Sequence, residues 1–232
     1  AAREATPNAT ATHPFSSRLL AAPRAPGQAA ASGLQPYRCQ ATEMLKASSP
    51  LPWWDLRQYV RDVRSGNVRP AEFIQVTLRM MYVALQRRLR RTRLRGGWRL
   101  ATLLTSVTGG RLEFPELGGP HTKGTPTLSL NLQPGEMVRV KNREEILSTL
   151  DFRQRNRGLW FDAEMLRYCG AAYRVLKRVD RIIDEGSGAM RVLPTPCVIL
   201  EGVTCCAHLS DRRLFCPRSI YPYWREIWLE RV

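Results

Sequence analysis

Cys169, Cys197, Cys205, Cys206 and Cys216 are the residues of this chain best suited to soft-metal or thiol chemistry. They are spaced C-x27-C-x7-C-C-x9-C within the last 64 residues, while Cys39 stands apart. This is not the paired C-x2-C spacing whose tight knuckles mark a zinc site. A hairpin that gathered Cys169, Cys197, Cys205 and Cys216 would still offer zinc four thiolates, with Cys206 or His208 as substitutes. Such a closed site is structural, and it adds folding energy to a domain rich in turns. The alternatives are a disulfide, an iron–sulfur cluster, or free thiols packed as small hydrophobes.

Acid–base chemistry has little to draw on. The three histidines are His13, His121 and His208. No nucleophile elbow, Walker loop or dinucleotide glycine fingerprint is present. Cys206 with His208 is the one local thiol–base combination. The acids Asp162 with Glu164, and Asp180, Asp184 and Glu185, lie among Arg174, Arg178 and Arg181 and read as charge compensation. The expectation is a chain without catalytic residues.

Charge is the strongest signal. The 232 residues carry 36 Lys+Arg against 20 Asp+Glu, for a net +16. Residues 51–100 hold 12 Arg and 3 acids, and no acid falls between Glu72 and Glu113. Arg79, Arg87, Arg88, Arg90, Arg91, Arg93 and Arg95 lie on a segment where Phe73, Val76, Met80, Met81, Ala84, Leu85 and Leu89 recur at helical spacing. The reading is a helix with a buried apolar face and an outward basic face. Three partners fit it: an acidic protein surface, RNA phosphates, or an anionic membrane touched peripherally. The aromatic C-terminal cluster (Trp160, Phe161, Tyr221, Tyr223, Trp224, Trp228) is either base-stacking or core, and core is preferred. No apolar run is long enough for a transmembrane segment.

The elements that must position these groups divide the chain into four. Residues 1–50 are Ala/Ser/Thr/Pro-rich and acid-poor, the composition of an organelle transit segment or of an unstructured tail. Residues 51–95 are the basic helical segment, with Pro70 suited to a first helical turn. Residues 96–129, broken by glycines and prolines, read as an extended linker. Residues 130–232 are the folded module. It contains a strand at Met137–Val140 and a short helix capped by Asn142 with Glu144 and Glu145 in its first turn. A β-rich stretch over Tyr173–Asp184 turns at 185–188 into strands Ala189–Leu193 and Cys197–Leu200, split by Pro194 and Pro196. The predicted class is α+β: basic helices and a long linker, then a small, strongly bent antiparallel sheet or partial barrel.

Several stretches read as motifs: Leu130-Asn131-Leu132-Gln133-Pro134-Gly135-Glu136, Arg157-Gly158-Leu159-Trp160-Phe161-Asp162, and Phe215-Cys216-Pro217-Arg218-Ser219-Ile220-Tyr221-Pro222-Tyr223-Trp224-Arg225-Glu226. With Tyr168-Cys169-Gly170, Arg181-Ile182-Ile183-Asp184-Glu185 and Asp55-Leu56-Arg57-Gln58-Tyr59, they make roughly Trp53 to Val232 resemble an uncharacterised family of small bacterial proteins. Its members are cyanobacterial and other, some encoded among polysaccharide-biosynthesis genes. The resemblance implies a shared fold and little about activity. A bacterial-type module behind a transit-like leader further implies a chloroplast or mitochondrial protein. The expected function is a non-catalytic accessory subunit docking through the arginine-rich helix and linker onto a ribosome or a bioenergetic or photosynthetic membrane complex. The alternatives are an RNA-binding protein, or an enzyme or helper of polysaccharide biosynthesis.

Overall fold

The computed structural model describes residues 37–38, 42–43, 47, 49, 55–91, 95–210 and 213–232. Expectations resting on residues 1–36, Cys39, Trp53, Trp54, Arg93 and the Arg95 side chain lie outside them. The chain divides into two compact units, Ala1–Leu51 with Arg181–Leu193, and Pro52–Asp180 with Pro194–Val232.

The second unit opens with three helices, α1 (Arg57–Arg64), α2 (Pro70–Arg91) and α3 (Arg95–Thr108). Pro70 occupies the first turn of α2, where its missing N–H costs nothing, and Glu72 complements the helix dipole there. Arg88, Arg90 and Arg91 do the same for the last turn. The extended linker expected over 96–129 is corrected in its first part. Arg95–Thr108 is helical, with Gly96 and Gly97 in its opening turn. A helix start tolerates glycine better than a helix interior, and Leu100, Leu103 and Leu104 follow as strong helix formers. From Thr108 to the sheet the chain is irregular.

The β-rich part is α+β. Strands β1 (Met137–Val140), β4 (Ala172–Ile183), β5 (Met190–Leu200) and β6 (Leu229–Arg231) form one antiparallel, strongly curled half-barrel sheet in the order β5-β4-β1-β6. Between β1 and β4 lie α4 (Arg143–Leu147) and the small hairpin β2 (Arg155–Asn156) with β3 (Leu159–Trp160). Asn142 caps α4 reciprocally with Glu145. Val138 faces Tyr173 on one side and Arg231 on the other. Alternation then turns Val138 and Val140 into the core and leaves Met137 and Arg139 outside.

β5 runs unbroken through Pro194 and Pro196, which corrects the expected split. Val198 exchanges backbone hydrogen bonds with Trp224 at 2.9 and 2.8 Å, away from β4. Residues 194 and 196 share its parity, so their absent N–H groups fall on the outer edge, where the sheet does not need them.

Phe161, Trp224 and Trp228 form the centre of the core, fully buried and edge-to-face at 5.2 to 6.4 Å. Leu117, Leu132, Ile146, Leu150, Val198 and Leu200 close around them. Trp228 donates to Thr149 Oγ1 at 3.0 Å, so its buried N–H is satisfied. These three aromatics are core; Trp160, Tyr221 and Tyr223 stay exposed.

In the first unit, Asp184 takes the turn between β4 and β5. Its carboxylate accepts from Ser187 and pairs with Arg191 at 2.9 Å. Tyr37 donates its N–H to Gly188 O at 2.7 Å.

Candidate interaction surface

The antiparallel pair α2–α3 carries polar side-chain bonds beside the buried Val83 and Ala101. Gln86 is buried and donates to Tyr82 Oη (2.7 Å) and to Ala101 O (3.2 Å). Tyr82 Oη meets Thr108 Oγ1 at 3.1 Å. Arginines of α2 also make contacts here. Arg79 donates to Glu113 O at 3.3 Å and Arg90 to Glu113 Oε1 at 2.9 Å. Thr105 donates to the same carboxylate. The Arg87 guanidinium lies 4.7 Å from the Phe114 ring centroid, a cation–π contact.

Of the apolar residues expected on one face of this helix, Phe73, Val76, Met80 and Leu89 are half-buried, and Met81, Ala84 and Leu85 are exposed. Apolar side chains of α2 point outward: Leu78 is 60% and Met81 63% exposed, with Ile74 and Leu85 beside them. On α3, Leu103 is 59% and Val107 78% exposed, with Leu100 beside them. Of the seven arginines singled out, Arg79 and Arg87 are half-buried against the molecule, and Arg90 is exposed while pairing with Glu113. Arg88 and Arg91 are exposed and, with Ala84 and Arg87, line a shallow hollow of about 510 Å³ on the flank of α2.

A second hollow, about 1030 Å³, lies between α2 and the β-rich part. Val83, Arg90, Phe114, Trp160, Glu164 and Cys205 are among its lining residues, and no histidine is. Its charges are already engaged. Glu164 accepts from the N–H groups of Cys206, Ala207 and Leu209 at 2.9 to 3.0 Å, and Asp162 caps the 3-10 turn Ala163–Tyr168. Asp162 and Glu164, expected to compensate charge, hold backbone N–H groups.

All five described cysteines are free thiols, and no group of three or more His, Cys, Asp or Glu among the described residues is placed to hold a metal ion. Cys197 is buried and accepts from Arg225 Nη1 at 3.3 Å. Cys205 accepts from Ile220 N–H at 3.3 Å. Burial pushes the Cys206 thiol up, against hydrogen bonds from the His208 backbone and the Arg167 guanidinium. Burial, helped by Glu144, raises Cys169 to about 11. The imidazole of His208 turns away from Cys206 to Glu72, at 3.0 Å.

The motif residues converge on architecture that sequence reasoning missed. Glu226 is buried and accepts from the N–H groups of Leu130 (2.6 Å), Asn131 (3.0 Å) and Leu132 (3.2 Å), and from Arg178 at 2.7 Å. Burial alone would raise its pKa, but these donors outweigh it and hold the carboxyl below its ordinary range. Arg225 is buried beside it and donates to the carbonyls of Asn156, Arg157 and Thr195. A charged pair inside an otherwise aromatic C-terminal run was the available signal for a buried network. No family model matches the chain and no curated protein matches it.

Proposed function

We propose that this protein is a non-catalytic docking subunit of a larger assembly, with the α2–α3 hairpin as its docking element and an acidic protein surface as its partner. The observation that carries the reading is the outward apolar face of the hairpin. Ile74, Leu78, Met81 and Leu85 on α2 and Leu100, Leu103 and Val107 on α3 are all exposed. Contiguous exposed apolar surface of this kind marks interaction sites on folded proteins. The segment that carries it holds arginines and no Asp or Glu between Glu72 and Glu113. The half-burial of Arg79 and Arg87 supports a protein partner over RNA, because it withdraws two guanidinium groups from the outward face. None of the described helices is long and apolar enough to cross a membrane. The acid-poor, Ala/Ser-rich composition of residues 1–50 supports an organelle setting.

The test is site-specific photo-crosslinking in cells at Met81 and Leu103, with Asp184 as a control position. Discrete, nuclease-resistant adducts of high mass from Met81 and Leu103, and none from Asp184, are expected. Adducts that vanish with nuclease would replace the protein partner by RNA, and the absence of adducts at both positions would remove the docking role.

A further inference from the structure

We infer that the occupant of the α2–α3 face is an acidic amphipathic helix of a partner protein, which seats as the third helix of a bundle. This rests on the docking reading above and specifies its partner.

The spacing of the exposed apolar residues carries the inference. Ile74, Leu78, Met81 and Leu85 are separated by four, three and four residues, and Leu100, Leu103 and Val107 by three and four. Alternating three and four is the heptad pattern that meets another helix through knobs and holes. The two stripes lie on one side of the hairpin. Tyr82 and Gln86 mark the side of α2 that faces α3, and Ala101, Thr105 and Thr108 mark the side of α3 that faces α2. At about 100° per residue, the α2 stripe lies roughly a quarter turn round from its seam, and the α3 stripe roughly a third of a turn round in the same rotational sense. In an antiparallel pair the same sense leads to the same face. The stripes therefore lie toward one face of the hairpin, about 16 Å long on α2 at 1.5 Å per residue, with Leu103 at its outer margin. A helix of about three heptads covers it.

The rim names the partner's charge. Arg88 is one turn from Leu85, and Arg99 one turn from Leu103; both are exposed. Nine arginines and no acid lie between residues 73 and 112. Guanidinium forks match carboxylates bidentately, so a partner with Asp and Glu flanking its apolar seam is favoured. A second copy of this chain would bring the same arginines to the rim and repel. Residues 1–49 of the chain itself carry five basic residues and two acids, the wrong sign. A lipid surface is the weaker occupant: interfacial helices anchor with Trp and Phe, and the stripe holds only Ile, Leu, Met and Val.

The test uses the full chain and a fluorescent probe peptide of about 21 residues, with Leu and Ile at heptad positions a and d and Glu at e and g. The controls are the same peptide with Lys at e and g, phosphatidylglycerol vesicles, and a single-stranded RNA homopolymer. Saturable binding of the Glu peptide is expected, at least tenfold tighter than the Lys peptide and weakening with salt. Leu78→Glu with Leu103→Glu should reduce binding more than thirtyfold with an unchanged circular-dichroism spectrum. Arg88→Glu with Arg91→Glu should weaken the Glu peptide about tenfold and strengthen the Lys peptide, a rescue that loss of fold does not give. Equal affinity for the two peptides, or no rescue, overturns the inference. Vesicle or RNA binding that the double Leu→Glu variant abolishes, without peptide binding, also overturns the helical occupant while leaving docking by this face intact. Indifference of every probe to those substitutions, together with absent crosslinks from Met81 and Leu103, overturns both.

Discussion

Arg90 reaches across the hairpin to Glu113, with Nη2 2.9 Å from Oε1, and the same carboxylate receives the Thr105 hydroxyl. Glu113 is the first acid after Glu72, and its carboxylate ties α2 to the end of α3. The polar bonds of Gln86, Tyr82, Thr105 and Thr108 add to it, and Leu78, Met81 and Leu85 are left outside.

Glu113→Gln keeps the side-chain shape and removes the charge. Partly exposed pairs are worth little, so a loss of about 1 kcal/mol is expected, read as a fall of about 2 to 4 °C in Tm. The same variant should raise protease cleavage within 92–112 before cleavage elsewhere.

The outward stripe should carry no folding energy. Leu78→Ser and Leu103→Ser are expected to change stability by less than about 0.5 kcal/mol in urea titrations, since both side chains stand in solvent. A loss of about 2 kcal/mol or more from either would mean that the stripe is packed within the free protein.

Glu226→Gln should cost about 3 kcal/mol, because it leaves Arg178 without its anion and weakens the cradle at residues 130–132. Its carboxyl is held below its ordinary value of 4.5. The native protein therefore keeps this stabilisation at neutral pH and loses it as pH falls through the lowered value. Urea midpoints measured from pH 7 down to pH 3 should converge for the two proteins at the acid end.

Cys169 gives the opposite slope. Its thiol is raised from 9.0 to about 11 in the fold, so the unfolded chain loses that proton first. Stability should decline between pH 9 and pH 11, and Cys169→Ser should flatten that decline. Alkylation of Cys169 in the native protein should likewise need a pH well above that of a free thiol.

Gly119 admits no side chain. A Cβ there would lie 2.1 Å from Leu150 O, a backbone atom that cannot step aside. Gly119→Ala is expected to destabilise by about 3 kcal/mol, at the upper end for overpacking, and to lower soluble yield.

The sequence made parts of this structure legible and hid others for identifiable reasons. The cap at Asn142 and the β4–β5 hairpin follow from local chemistry, and both are present. The helical spacing over Phe73–Leu89 is real as well. Phe73, Val76, Met80 and Leu89 of that spacing are half-buried; what it did not show is that Gln86 and Tyr82 join the seam, bonded to residues 15 to 26 positions away. Gly96 and Gly97 suggested a linker, but they sit where α3 begins, and the helix-forming residues that follow decide the outcome. Pro194 and Pro196 suggested a broken strand because the sequence does not show which edge their missing N–H groups would face. Of the arginines named from the sequence, Arg88, Arg90 and Arg91 are exposed, and Arg79 and Arg87 are half-buried. The cysteines share a stretch of sequence and no common centre among the described residues.

The placement of β1 between β4 and β6 sets a timetable for synthesis. Val138 pairs with Tyr173, about 35 residues downstream, and with Arg231, about 90 residues downstream. At roughly 5 to 20 residues per second, β1 leaves the ribosome about 5 to 20 s before its second neighbour exists. During that interval a valine-bearing edge is open to any other strand. Nascent chains of this protein are therefore natural clients for a ribosome-bound chaperone, and slower translation lengthens their exposure.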